Sequence, residues 1–245
     1  MNLDDFTREF ETIVKSEMVD GIIKKGGALV SELSLNPDFV DDCLTKILID
    51  NEFLARQKDS VWLNEVTVFR HPEGLFSLYM YIWDKDLADI IHDHNAWGII
   101  GVARGSLQET KYRRLDDGSR EDYAELEPLD SQTFKPGQFT SVMPLNNGIH
   151  QMNNIHQGIT ITFNTYGQPV KRGYIRFYDR EKRTAKKAYP PRTLKQVLAA
   201  RALFAQSEHA EQVLEKALQM RLPEAVREES KKCLSLLRNR EYRST

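Results

Sequence analysis

Between residues 64 and 178 the chain breaks into short runs rich in Val, Ile, Thr, Tyr, Phe and Trp, and this texture constrains the fold more than any other feature. The runs lie at 66–69, 76–83, 97–102, 107–112, 139–142, 159–166 and 173–178. Between them stand HPEG at 71–74, ARG at 103–105, DDGS at 116–119, KPG at 135–137 and PLNNG at 144–148, compositions that tight turns need. Many short strands at this spacing predict a sandwich or a barrel.

Helical periodicity flanks this region on both sides. Phe6, Phe10, Ile13 and Val14 recur at helical spacing, and Phe39, Val40, Cys43, Leu44, Ile47 and Leu48 repeat it after a break at Asn36-Pro37. Past Tyr189-Pro190-Pro191, Leu194, Val197, Leu198, Arg201 and Ala202 fit one helix face, Val213, Leu214, Ala217 and Leu218 a second, and Pro223 opens a third helix. The expected organisation is N-terminal helices over 1–60, a β domain over 61–189 and a C-terminal helical extension over 190–245. No repeat or low-complexity tract interrupts it.

An apolar content of 40% and charges of both signs argue for a folded chain, because disordered chains lack the apolar surface that offsets ordering entropy. Cys43 and Cys233 are far apart and outside any CxxC spacing, so neither a disulfide scaffold nor a thiolate zinc site is expected. Cys43 falls on an apolar helix stripe and reads as a core thiol. No run reaches the roughly 18 apolar residues of a membrane span, and the acidic start MNLDDFTREFE is unlike a secretory signal. The cytoplasm is the default expectation.

Charge is uneven. Residues 171–201 hold eleven Lys or Arg against Asp179 and Glu181, an excess of nine that leaves the remainder near −11 for a net charge of −2. A solvated hairpin and linker packing on an acidic surface, an anionic-ligand site and a nucleic-acid groove all fit such a stretch. With few interleaved aromatics and no nucleic-acid motif, neither nucleic acid nor membrane is expected as a partner. The C-terminal helices suit a homo-oligomer or a docked protein.

Besides His71 in the HPEG turn, four of the six histidines, at 92, 94, 150 and 156, lie in the β region. In extended backbone residues i and i+2 share a face, so His92 and His94 can meet one ion, and His150 can complete a facial set with positions left open for substrate and O2. An HxH pair alone is equally at home as two hydrogen-bonded or surface histidines. Asp93 points away from its neighbours in a regular strand and reads as a supporting residue. His156 reads as an exposed loop residue, while Trp97 fits either a pocket wall or the barrel filling. Tyr79 and Tyr81 share one strand face and suit core or pocket equally.

The wider pattern resembles the cupin superfamily. Its first motif is carried by His92-Asp93-His94, Trp97 through Val102 and Arg104-Gly105-Ser106-Leu107-Gln108-Glu109-Thr110, and its second by Pro144, Gly148, His150 and Asn154, with Pro136-Gly137 before it. Many cupins place a Glu four or five residues after the HxH. Gly98 and Ile99 stand there, so the resemblance implies three histidines without a carboxylate. More finely, HDH, RGSLQETKY, HQMNN and ITITFNTYG over residues 60–180 resemble the cysteine dioxygenase family, including its mercaptopropionate-type relatives.

That resemblance implies a mainly β fold, the cupin double-stranded β-helix (jelly-roll) barrel with N-terminal helices, to which this chain adds its C-terminal helical extension. It implies Fe(II) on His92, His94 and His150, and a thiol dioxygenase that adds O2 to the sulfur of a small, carboxylated thiol to give a sulfinate. The family's Ser-His-Tyr relay falls on Thr162, Asn164 and Tyr166, with the Tyr kept and a neutral amide that cannot take a proton near pH 7 in place of the His. The family cysteine that crosslinks to the Tyr is replaced by Gly98 or Ile99. Val66 stands at the carboxylate-binding Arg of the animal-type enzymes, with Arg70 four residues on. The mercaptopropionate type places that Arg after the Tyr strand, where Lys171, Arg172 and Arg176 occur and Arg172 is the choice as carboxylate clamp. Two other readings are a three-His cupin dioxygenase that cleaves a carbon–carbon bond and a non-enzymatic metal- or ligand-binding cupin whose helices dock a partner.

Overall fold

Every second residue of the Phe76–Trp83 run is buried against helices and the alternate ones point the other way, and this sorting builds the domain. The computed structural model describes residues 1–170, 172–206 and 209–244. They fall into two units, one of 1–58, 62–170 and 176–186, the other of 59–61, 171–175 and 187–245.

The first unit opens with helices α1 (Leu3–Ser16), α2 (Val19–Ser34), α3 (Pro37–Ile49) and the short α4 (Asn51–Ala55). Asn2 caps α1 by accepting the Asp5 N–H, and Asn36 caps α3 by accepting those of Asp38 and Phe39, with Pro37 at the first helical position. The stripes expected from periodicity bury Phe6, Phe10, Phe39, Val40 and Cys43, but Leu48 is 82% exposed in the last turn of α3. Burial pushes the Cys43 thiol up to about 12, so it is inert packing. Helix α2 buries Ile22, Gly26, Gly27, Val30 and Leu33 on one face. A β-carbon at Gly27 would lie 2.2 Å from the Phe139 ring, so the helix approaches the sheet only because a side chain is missing.

Eleven strands follow: β1 (Glu65–Arg70), β2 (Phe76–Trp83), β3 (Ile91–His94), β4 (Gly98–Arg104), β5 (Leu107–Arg114), β6 (Leu126–Phe134), β7 (Phe139–Val142), β8 (Leu145–Asn154), β9 (Thr160–Gly167), β10 (Ile175–Asp179) and β11 (Thr184–Ala188). They form a five-stranded sheet in the order β1-β2-β9-β4-β7 and a six-stranded sheet in the order β11-β10-β3-β8-β5-β6, with antiparallel pairing throughout. From β2 to β10 the chain passes repeatedly between the sheets, which makes the double-stranded β-helix. PLNNG at 144–148, read as a turn, lies mostly within β8. Only Leu145 takes a left-handed φ of 59°, after which the chain pairs with β3. The outer face of the five-stranded sheet packs Phe76, Leu78, Met80, Ile99, Ile161 and Phe163 on the helices, while its inner face gives Tyr81, Trp83, Ile100 and Val102 to the barrel.

The second unit carries α5 (Pro191–Gln206), α6 (Ala210–Leu218) and α7 (Glu224–Ser244) around Ala200, Leu214, Cys233 and Leu234. Its buried seam on α5 runs through Val197 and Ala200, leaving Leu194, Leu198 and Ala202 of the expected face exposed. Arg201 forks onto Glu229 through two hydrogen bonds of 2.9 and 3.1 Å. Among the described residues no helix is long and apolar enough to cross a membrane.

Candidate metal centre

Two neighbouring strands bring the histidines together. His92 on β3 pairs directly with His150 on β8, and a bulge between His92 and His94 re-aims the second ring so that both face the barrel interior. All three are buried, and one ring nitrogen from each lies within 4.8 Å of the others. Nε2 of His150 sits 2.9 Å from Nε2 of His94 and 3.2 Å from Nε2 of His92.

The opposite ring nitrogens fix the tautomers. Nδ1 of His92 lies 2.8 Å from the Ile90 carbonyl, which can only accept, so Nδ1 carries the proton. Nδ1 of His150 donates to Glu109 Oε1 at 2.7 Å, and Thr140 donates to the other oxygen at 2.6 Å. Burial alone raises the Glu109 carboxyl, but the hydrogen bond and charge of His150, with Lys111 and Thr140, outweigh it and hold Glu109 below its ordinary range. Burial and the neighbouring His150 depress His92 well below its ordinary value, so it is neutral. With its proton on Nδ1, His92 presents an Nε2 lone pair toward the Nε2 atoms of His150 and His94, where a metal ion would take it up. The donor set fits a metal ion. Glu109 is already shared between His150 and Thr140 and orients a ligand instead of serving as one.

Asp93 is fully buried and faces away, as the alternation predicts. It accepts the Arg176 backbone N–H at 2.7 Å and the Tyr178 hydroxyl at 3.1 Å, which ties β3 to β10.

A cavity of about 280 Å³, counted to its open mouth, adjoins His92 and His150. Trp62, Tyr81, Trp83 and Tyr166 give it aromatic walls, and Asn64, Asp89 and Asn164 its polar groups. Trp62 stands edge-on to His92 with ring centroids 4.6 Å apart, and Tyr166 stacks on His94 at 5.5 Å. Burial pushes the Tyr166 hydroxyl above its ordinary range against the opposing hydrogen bond from Asn164, so the phenol keeps its proton. Of the two residues after Trp97, Gly98 faces inward and Ile99 outward: a β-carbon at Gly98 would lie 2.4 Å from the Tyr166 ring, so no side chain fits beneath Tyr166.

The other expected site residues divide. Asn164 donates from Nδ2 to the Tyr166 hydroxyl at 3.2 Å and lines the cavity. Thr162 is one step removed, its hydroxyl accepting the Trp83 indole N–H at 3.2 Å. Trp97 packs on Phe10 and Gly167 with the helix-facing core, and so is a core residue and not a cavity wall. Arg70 is exposed at the end of β1, its guanidinium 5.3 Å from the Tyr79 ring, and does not line the cavity. Arg172 belongs to the second unit, where it lies over Tyr174 and donates to the Tyr174 carbonyl, and Lys171 is outside the described residues. His156 is exposed in the turn after β8. Glu109, Asp89 and Trp62 escaped the sequence reading. Glu109 had a signal, since it shares strand parity with buried Leu107, and a carboxylate on a buried face needs a partner. Asp89 and Trp62 come from irregular segments with no such parity.

No family model matches the chain. Solved structures similar to it include the Schizosaccharomyces pombe Cnp3 cupin domain, at 8% identity over 42% of this chain and 59% of that one with a TM-score of 0.33. A Cupin 2 conserved barrel domain protein from Salinispora arenicola is 14% identical over 47% and 83%, at 0.33. An RmlC-like cupin family protein from Methanocaldococcus jannaschii is 12% identical over 46% and 85%, at 0.31. This chain spans about three fifths of the first of these. On its own strand order and its buried histidine group, the chain is a cupin-fold protein whose centre suits a metal ion.

Proposed function

We propose that the protein is an Fe(II)-dependent thiol dioxygenase. The observation that supports this best is the pairing of three carboxylate-free imidazole donors with a protonated Tyr166 stacked on one of them. His92, His94 and His150 would hold the iron, which would supply Lewis-acid and redox chemistry for a thiol and O2. The reaction balances without a co-reactant: R–SH and O2 give R–SO2− and a proton, with sulfur losing four electrons and O2 gaining them.

The chain's residues do the rest. Hydrogen bonds from Nδ1 of His92 and His150 hold both rings in the tautomer that presents Nε2. The aromatic walls limit the cavity to a small molecule and restrict water. Asn164 fixes the Tyr166 hydroxyl, which has a proton to donate to the reacting group. The test is anaerobic loading with Fe(II), then O2 uptake and sulfinate detection over a panel of thiols and diketones. Oxygen consumption with thiols and a sulfinate product is expected, and stoichiometric iron with no uptake on any thiol overturns the reading. Tyr166→Phe should retain iron and slow turnover by about 100-fold or more.

A further inference from the structure

The two units of the chain carry opposite charge. The second, 59–61, 171–175 and 187–245, holds fourteen Lys or Arg against eight Asp or Glu, an excess of six. The first holds twenty against twenty-eight, an excess of eight in the other sense. A net charge of −2 therefore averages two opposed sets, whose fields draw copies together while the small total does little to keep them apart.

Each sign has a surface on which a partner can sit. On α5 the buried seam of Val197 and Ala200 leaves the opposite side in solvent, where Leu194 is 40% and Leu198 50% exposed beside exposed Ala202 and Ala205. Helical spacing sets these four in one stripe with Lys195 along its edge. The helix contains Arg192, Lys195 and Arg201 and no acidic residue. Arg201 is taken by Glu229 and Arg192 lies 3.7 Å from Asp59, but Lys195 has no ion pair among the described residues.

The complement lies where β6 ends the six-stranded sheet. Residues 116–130 hold seven Asp or Glu against Arg120 alone. Arg114 takes Asp116, Arg113 takes Glu127 and Arg183 lies 3.6 Å from Glu125, while Asp117, Asp122 and Asp130 have no ion pair among the described residues. Leu115 and Leu129 stand among these carboxylates, 51% and 57% exposed. Leucines so placed are best covered by a surface that brings apolar contact and positive charge together.

We propose that the α5 face of one copy docks on the 115–130 edge of a second copy, leucine on leucine and basic on acidic side chains. The partner is a second copy because every copy displays both halves of the contact, in equal number and at equal concentration.

Sedimentation velocity on the 245-residue chain, from about 1 to 300 μM, reads the contact. At about 50 mM NaCl the weight-average sedimentation coefficient should rise with concentration. At about 1 M NaCl, where the Debye length falls to about 3 Å, the dissociation constant should be at least about tenfold larger. Lys195→Glu with Leu198→Glu removes the basic half, and Asp122→Lys with Leu129→Lys the acidic half. Each doubly substituted protein should be monomeric by itself, with its circular dichroism melt preserved. Mixed one to one, the two should form a heterodimer, because the first keeps its acidic edge and the second its α5 face. A chain that stays monomeric at low salt, or an association indifferent to salt, overturns the proposal on the unsubstituted protein, whether or not the variants fold. Undiminished self-association of either folded variant, or folded variants that form no complex when mixed, overturns it as well.

Discussion

Strand β9 carries two different proteins' worth of chemistry on its two faces. Outward, Ile161 and Phe163 pack on the helices, with Phe163 and Phe39 ring centroids 4.9 Å apart. Inward, Thr162, Asn164 and Tyr166 make hydrogen bonds, and Asn164 and Tyr166 border the cavity. The outer face is interchangeable hydrocarbon whose task is volume, and the inner face is a set of polar atoms whose task is direction. Period-two alternation lets one eight-residue segment serve both, because each face can be altered without touching the other's neighbours.

The comparison breaks if mutations on one face damage the other. The largest effect belongs to the inner side: His150→Ala should abolish metal retention after dialysis while the circular dichroism spectrum persists, and retained metal would assign the third ligand elsewhere. Next is Phe163→Ala, which should cost about 3–5 kcal/mol in denaturant unfolding through the cavity it leaves, with metal stoichiometry unchanged. Glu109→Gln sharpens the boundary, since it removes the charge that orients His150 and should weaken metal affinity by about 10–100-fold with little change in unfolding midpoint. Asp116 provides the smallest effect and a control remote from both faces. Hydrogen bonds from Arg114, against the penalty of burial and with the Glu125 and Gly118 N–H groups, hold its carboxyl down at about 2. A depressed carboxyl stabilises the fold fully above the unfolded value near pH 4, and that contribution fades as the pH falls through about 2. Asp116→Asn should therefore cost about 1–3 kcal/mol at neutral pH and lose that deficit in acid, as read by urea unfolding at several pH values.

What the sequence made legible follows from the same alternation. Residues 76–83 and 139–142 coincide with β2 and β7, and in β2 the face of Phe76, Leu78, Met80 and Ile82 is uniformly apolar. Strand β6 left no trace: LEPLDSQTF is exposed from Pro128 through Thr133 and lies at a sheet edge, where neither face has to be apolar. In the site, the histidines were legible because their spacing carries the geometry. The polar lining was not, because Asp89 and Trp62 enter from irregular segments and a sequence does not reveal which loop closes over a barrel mouth. Arg70 and Trp97 show the converse: a suitable side chain near the motif still depends on strand end and parity, and these put Arg70 in solvent and Trp97 in the outer core.

The clamp on Asp93 bears on when the protein acquires its ion. A carboxylate held by the Arg176 N–H and the Tyr178 hydroxyl staples the histidine strand to its neighbour through protein groups alone, while Ile90 and Glu109 orient two of the rings. The folding of the barrel and the arrival of the ion are thus separate events, unlike in small zinc domains where the metal's binding energy is the folding energy. A newly synthesised chain can therefore fold before any metal ion arrives, and an ion held there could be removed by a competing chelator and replaced without passing through an unfolded state.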